Sequence, residues 1–269
     1  MEFITSKSNE KVKYIKNLNE KKFREKYNAF YLEGIKVVNE ILDRKEAVNI
    51  LFIAYSNEIL STKNDGEKLI KRLESEKIEK VEFSKQIFEY VTDTVTTQGV
   101  IVVLEIKKYK LQDLIDGKSS IVLLDKIQDL GNIGTIIRNT SAFLINNIIC
   151  IKGTADVYSN KVTRSTMGTI IDKKIAYIEK EELISNLDYI RDMGYNVITT
   201  SLDTNNYIED VSFKGNNIYV MGNEANGVSK EIQDISNLKV KIDMSDNVES
   251  LNVSVANGII LYKHYIDNK

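Results

Sequence analysis

The residues best suited to chemistry lie in three short stretches. Tyr219-Val-Met-Gly222-Asn223-Glu224-Ala-Asn-Gly227 ends an apolar run on a carboxylate, two amides and two glycines. About twenty-five positions later comes Glu249-Ser250-Leu251-Asn252-Val-Ser254. A hundred residues earlier, Asp125-Lys-Ile-Gln128-Asp129-Leu-Gly-Asn132-Ile-Gly134-Thr-Ile-Ile-Arg138 has the same construction. Each sets polar side chains where an apolar strand ends, which is where open α/β sheets place ligands. Glycines permit positive φ and close approach of a bound group. Exposed backbone N–H and C=O groups there can read a planar base by hydrogen bonding. A helix starting near Ile133 with Asn132 as its N-cap would attract an anion, and Arg138 beside it suits a phosphate or ribose. Ser250 is the expected N-cap of a second helix, with Asn252 and Ser254 in its first turn. Singly, each stretch is also what an ordinary turn or capped helix looks like.

Other chemistries are excluded by what is missing. No strand is followed by a GxGxxG fingerprint or a GxxxxGK[ST] phosphate loop. The single cysteine, Cys150, cannot form an intrachain disulfide, and it sits in the apolar run Ile148–Ile151 as a small core residue. With His264 the only histidine, neither a histidine-rich metal cage nor a Ser-His-Asp set can be built, and the chain reads as metal-free.

The elements that must position these residues follow from periodicity. Residues 1 to about 105 alternate helix and strand patterns. Helices are expected at Ser8–Leu18, at a stripe of Ile35, Val38, Ile41 and Leu42, at Glu67–Leu73, and from a Ser84 cap through Tyr90. Strands are expected at Ala29–Leu32, Val48–Ala54, Ile78–Phe83 and Val100–Leu104. A polar stretch around 107–120 reads as a linker. From Ile121 onward, apolar strands (121–125, 147–151, 174–178, 195–199, 217–221, 239–243) are separated by helices near 133–144, 161–167, 180–192, 229–235 and 250–265. Such strands imply a parallel sheet buried on both faces.

The chain has 269 residues, 42 % hydrophobic and 28 % charged, as in a soluble globular protein of one large or two ordinary domains. No apolar run nears the roughly 18 residues of a membrane span, and the N-terminus lacks the regions of a signal peptide, so a cytoplasmic protein with no membrane partner is expected. There is no proline, where average usage predicts about a dozen. Net charge is −2, but Lys7 to Lys26 carries eight cations (Lys7, Lys11, Lys13, Lys16, Lys21, Lys22, Arg24, Lys26) against three anions, leaving +5, with Tyr14, Phe23 and Tyr27 interleaved. That pattern fits a nucleic-acid contact and equally a solvated amphipathic helix.

Taken in order and at this spacing, Asn132-x-Gly134-x-x-x-Arg138, Gly222-Asn223-Glu224-x-x-Gly227 and Met244…Glu249-Ser250-Leu251-Asn252-Val-Ser254 resemble the three motifs of the SpoU/TrmH family, 2′-O-ribose RNA methyltransferases of the SPOUT superfamily. Arg164-Ser165-x-Met167-Gly168 also resembles a family segment, and Phe30-Tyr-Leu-Glu-Gly34 lies in what looks like the family's small ribosomal-protein-like α/β domain. The resemblance spans nearly the whole chain. It implies an α/β fold, a mostly parallel SPOUT-type sheet with a C-terminal deep trefoil knot, an exception to the usual rule against knots. It also implies a homodimer, and S-adenosylmethionine as cofactor. Residues 1–105 would be the RNA substrate-binding domain, 106–119 a linker and 120–269 the methyltransferase domain.

By position, Thr200, Gly222, Ile242, Met244 and Leu251 would line the cofactor, and Asn132, Arg138, Glu224, Ser250 and Asn252 would form the catalytic group. Lys7, Lys11, Lys13, Lys21, Lys22 and Arg24 would contact RNA, with rRNA favoured and tRNA the alternative. Arg138 is expected to hold phosphate and stabilise developing alkoxide rather than act as base, since guanidinium stays protonated. Glu224 would assist the proton's departure. Two rivals stand beside this reading, a non-catalytic RNA-binding protein of the same fold and a methyltransferase acting on a base or small molecule. The chain departs from the family pattern at Leu130 and Asp243, where proline is usual, and at Asp246-Asn247, where a glycine-containing turn is usual.

Overall fold

Strands that are apolar on both faces must be covered by helices on both, and the structure, a computed structural model, resolves that demand in two compact units. It describes every residue except Met1, Asp93, Val95 and Asp246. One unit is Met1–Lys107 together with Tyr158–Ile171, and the other is Lys108–Val157 together with Asp172–Lys269.

The first unit contains β1 (Glu2–Ile4), α1 (Glu10–Asn17), α2 (Lys21–Tyr27), β2 (Ala29–Glu33), α3 (Ile35–Asp43), β3 (Ile50–Tyr55), α4 (Asn57–Leu60), α5 (Gly66–Ser75), β4 (Lys80–Phe83), α6 (Lys85–Val91) and β5 (Val100–Glu105). Its strands run in the order β1-β4-β3-β5-β2. The first three are mutually parallel, and β5 is antiparallel to both β3 and β2. The expected stripe on α3 is buried at all four positions. Ser84 caps α6 as expected, its side chain accepting from the Ile87 amide. Val12, Ile15, Leu18, Phe83 and Phe88 fill the core against the sheet. Three short elements, β1, α2 and α4, carried too few periodic positions to be read in advance.

The second unit contains α7 (Leu111–Leu114), β6 (Ile121–Asp125), α8 (Leu130–Ala142), β7 (Asn147–Ile151), then, beyond the segment α9 (Asn160–Ser165) that belongs with the first unit, β8 (Lys174–Ile178), α10 (Lys180–Ser185), α11 (Leu187–Asp192), β9 (Tyr195–Thr200), β10 (Asn216–Gly222), α12 (Lys230–Asp234), β11 (Leu238–Val240) and α13 (Val253–Asp267). All six strands are parallel, in the order β11-β9-β10-β6-β7-β8. The chain builds β6, β7 and β8 outward on one side, then returns to lay β10 and β9 on the other side of β6. The order therefore reverses between β6 and β10, whose carboxyl ends Asp125 and Gly222 are in register. A crevice outside the strand ends at such a reversal is the usual ligand site of an open α/β sheet.

Four expectations need adjustment. Residues 106–119, read as a linker, include α7, whose Leu111 and Leu114, with Ile115, are buried in the second unit's core. The helix expected from Ile133 begins at Leu130 and is capped by Asp129, which accepts from the Asn132 amide at 2.7 Å. Leu130 thus occupies the first helical position, where proline is accommodated but not needed. The final helix is capped not by Ser250 but by Asn252, whose side chain accepts from the Ser254 and Val255 amides. The single helix expected over 180–192 is two, broken at Asn186.

Candidate active site

Outside the carboxyl ends of β9, β10 and β11 lies a cavity of about 740 Å³. Four chain segments supply most of its wall, Thr200–Asp203, Met221–Val228, Val240–Ile242 with Met244, and Ser250–Val253, with Ile208, Gln233, Ala256 and Ile260 completing it. Its size falls within the range of ligand sites. Met221, Ile242, Met244, Leu251, Ala256 and Ile260 supply apolar wall, and the turn after Gly222 supplies backbone groups. All five residues expected at the cofactor (Thr200, Gly222, Ile242, Met244 and Leu251) line it. The turn is tight. The Asn223 amide donates to the Gly227 carbonyl at 2.9 Å and the Gly227 amide to the Asn223 carbonyl at 2.8 Å. Gly227 adopts φ +65°, and a Cβ on Gly222 would lie 2.2 Å from the Gly227 carbonyl carbon. Asp125 anchors the far side of the turn by accepting from the Ser229 amide at 2.7 Å.

Of the expected catalytic group, three members form one hydrogen-bonded chain. Glu224 accepts from the backbone amides of Gln128 (3.3 Å) and Asp129 (3.2 Å) and from Asn132 Nδ2 (3.1 Å). Asn132 Oδ1 in turn accepts from Asn252 Nδ2 at 2.9 Å. Three elements far apart in sequence are thereby tied at one rim: the β10 turn, the start of α8 and the start of α13. Partial burial pushes the Glu224 carboxyl up, but the bonds from Asn132, Gln128 and Asp129 outweigh it and hold the group below its ordinary 4.5. The anchoring it provides is in full force above that value and is lost as pH falls through the lowered one. Ser250 lines the cavity, exposed. Arg138 is not joined to the chain. It lies exposed on α8, in step with Thr135, and has no ion-pair or hydrogen-bond partner among the described residues.

The expected RNA contacts divide. Lys7 and Lys13 are exposed. Lys11 is paired with Glu79 at 2.6 Å, Lys21 with Glu25 at 3.7 Å and Lys22 with Glu20 at 2.8 Å. Arg24 must be withdrawn from the set: it is 4 % exposed and donates to the Leu18 carbonyl at 2.5 Å, closing the turn between α1 and α2. Helical periodicity did not reveal this, because the chain breaks at Asn19-Glu20 and α2 starts a new phase. Arg164 lies exposed on α9 in the first unit, followed by the left-handed pair Met167 (φ +52°) and Gly168 (φ +89°). Asp246 of the departing Asp246-Asn247 pair lies outside the described residues. Sequence reading missed two participants: Asp129, the true cap of α8, and Asp125, the anchor of the Ser229 amide. Both acidic positions were in plain view beside the strand end, but their partners are set by tertiary folding.

Among the described residues there is no group of three or more potential metal ligands and no helix long and apolar enough to cross a membrane.

Residues 119–262 match the SpoU rRNA Methylase family, and residues 9–102 match the MRM3-like substrate binding domain. The first match covers more than half of the chain, and the protein belongs to the SpoU rRNA methylase family. It is 29 % identical over 262 residues to the 23S rRNA (guanosine(2553)-2′-O)-methyltransferase RlmP of Bacillus subtilis (strain 168), covering 97 % of this chain and 98 % of that one. Among solved structures it is similar to an AdoMet-bound rRNA methyltransferase from Sinorhizobium meliloti, with a TM-score of 0.84 and 27 % identity over 98 % of this chain and 97 % of that one. The SpoU methyltransferase AviRb from Streptomyces viridochromogenes shares the fold, with a TM-score of 0.82 and 20 % identity over 96 % and 97 % of the two chains.

Proposed function

We propose that this protein methylates a ribose 2′-hydroxyl of RNA, 23S rRNA in the first place, using S-adenosylmethionine. The observation that carries the proposal is the hydrogen-bonded chain Glu224–Asn132–Asn252 at the rim of a cavity whose size and lining suit the cofactor. A protein that only bound RNA would have no use for such a chain. The cavity fits the group chemically, with apolar wall from Ile242, Met244 and Leu251 for a base and ring carbons, and backbone groups after Gly222 for its polar edge. When bound, S-adenosylmethionine supplies a methyl group on a positively charged sulfur, an electrophile.

The protein's own residues would do the rest. Glu224 acts by position: its oxygens already accept three N–H groups, and a lowered pKa makes it a weak proton acceptor. It fixes the start of α8 against the β10 turn, and Asn132 and Asn252 extend that fixing to α13. The rim keeps one geometry, and holding two reactants in line makes their encounter effectively unimolecular. Arg138 has its guanidinium uncommitted, so it can hold a phosphate and place positive charge beside the hydroxyl oxygen. That charge favours loss of the hydroxyl proton to solvent water as the oxygen takes the methyl group, without Arg138 giving up a proton itself. Ser250, on the cavity wall, orients the ribose.

The reading extends to a homodimer and to the deep trefoil knot of the family. The sheet order, with β10 central and α13 packed back on α8, supports the knot. Val255, Tyr262 and Ile266 support the dimer, being exposed apolar side chains on one face of α13. Light scattering should give twice the 30.7 kDa chain mass; a mass of one chain at micromolar concentration would overturn the dimer.

The function itself is tested by mapping 2′-O-methyl marks across all RNAs of the source cell with and without this gene. Loss of one mark in 23S rRNA is expected. A lost tRNA mark would keep the chemistry and replace the substrate. An unchanged map, with purified protein that fails to bind S-adenosylmethionine, would sink the enzyme reading.

A further inference from the structure

The basic N-terminal segment is not uniform once folded. Lys11, Lys21 and Lys22 are engaged with carboxylates, and Arg24 is buried. Two further cations of the segment, Lys7 and Lys16, lie over one ring. Tyr90, near the end of α6, is 38 % exposed, while its helix neighbours Ile87, Phe88 and Val91 are buried in the core. The Lys7 ammonium lies 4.4 Å from the centre of the Tyr90 ring, and that of Lys16 lies 5.1 Å from it. Lys13 is exposed on α1 one turn before Lys16, and neither Lys7 nor Lys13 has an ion-pair partner among the described residues. The other aromatics of the segment are spoken for: Tyr14 and Tyr27 stack on each other at 4.6 Å, and Phe23 stacks on Tyr27 at 5.7 Å.

We infer that Tyr90, with the Lys7 and Lys16 ammoniums over its ring, is a stacking platform for an unpaired base of single-stranded or looped RNA, Lys7 taking a neighbouring phosphate. This rests on the RNA-methylation reading and says which part of the first unit holds the RNA and in what state. The relative strengths decide the direction. A cation over an exposed ring is worth roughly two- to fivefold in an equilibrium constant. A base stacked on an aromatic side chain is worth roughly five- to a hundredfold. A base therefore displaces the ammonium from the ring face, and the ammonium remains within reach of the phosphate that arrives with that base. A duplex cannot use the ring, because its base faces are already stacked within the helix. The platform selects unpaired RNA.

The test uses the full-length protein and fluorescence anisotropy, with one short RNA presented single-stranded and annealed to its complement. Tyr90→Ala should weaken binding of the single strand by about tenfold and leave duplex binding within about twofold, with S-adenosylmethionine affinity unchanged. Tyr90→Phe, which keeps the ring, should bind as wild type. Lys7→Gln should lower the slope of log affinity against log salt by roughly 0.7, the value for one phosphate contact on a single strand. Unchanged single-strand binding by Tyr90→Ala would overturn the platform, and so would an equal loss on both RNAs, which would point to phosphate contacts alone. Wild-type protein that bound neither RNA would instead overturn the methylation reading beneath it.

Discussion

Replacing Arg138 by alanine is expected to lower the rate of methyl transfer by roughly 10²–10³ while leaving S-adenosylmethionine affinity as in the wild type. The size is that of losing one preorganised contact to developing charge, about 2.7–4 kcal/mol. Its selectivity comes from position. Arg138 is exposed on α8 and does not line the cavity, so its removal takes nothing from the cofactor's walls. Nor does it take a partner from any group in the chain, since the guanidinium makes no bond among the described residues. Folding should be unaffected for the same reason. Arg138→Lys should recover only part of the rate, because an ammonium keeps the charge but not the planar fork that grips a phosphate. Single-turnover rates with titration calorimetry on the same variants separate the two quantities. Turnover by the alanine variant within a few-fold of wild type would remove Arg138 from the mechanism.

Gly222→Ala is expected to do the opposite, costing cofactor affinity first. The methyl group would enter a space already held by backbone, 2.2 Å from the Gly227 carbonyl carbon and 2.3 Å from the Val228 nitrogen. Backbone cannot rotate aside as a side chain can, so the turn from Asn223 to Val228 must move as a body. It is held at both ends, by the bond from Asn223 Nδ2 to the Lys126 carbonyl at 2.9 Å and by buried Val228 with the Ser229–Asp125 bond. Overpacking of this kind typically costs about 1–3 kcal/mol, and here it falls on the segment that walls the cavity and carries Glu224. A loss of at least tenfold in S-adenosylmethionine affinity is expected, with a lowered melting temperature. Gly227→Ala is the informative comparison: nothing lies within 4 Å of its added methyl, but φ of +65° strains any side chain. It should melt lower by about 1–2 kcal/mol with a milder loss of affinity. Wild-type affinity in Gly222→Ala would mean that the turn does not form the cofactor's wall.

Much of the site could be read from the chain before folding, because it is built at strand ends. An apolar run that stops abruptly on Gly222-Asn223-Glu224, or on Asp125 before Asn132, announces a sheet edge whose loops face solvent and can hold a ligand. The strands and most helices were legible for the same reason: burial on both faces leaves continuous apolar runs, and the α3 stripe leaves a helical period. Short elements such as β1 and α4 escaped, since three or four residues cannot express a period.

Which polar groups meet, by contrast, was decided only by the tertiary structure. Side-chain type names Glu224, Asn132 and Asn252 as hydrogen-bonding residues, but the order of strands in the sheet brings 132, 224 and 252 to one rim. That order also gives the capping duty to Asp129 and Asn252 rather than to Asn132 and Ser250, by fixing where α8 and α13 can begin. Charge works the same way. The amino-acid sequence by itself determined that the first thirty residues are basic. Folding decided which of those cations are spent, by setting Glu79 beside Lys11 and the Leu18 carbonyl beside Arg24, and which lie over the Tyr90 ring. Local pattern is written in neighbours along the chain, whereas partnership depends on distances between residues that only the packed sheets bring together.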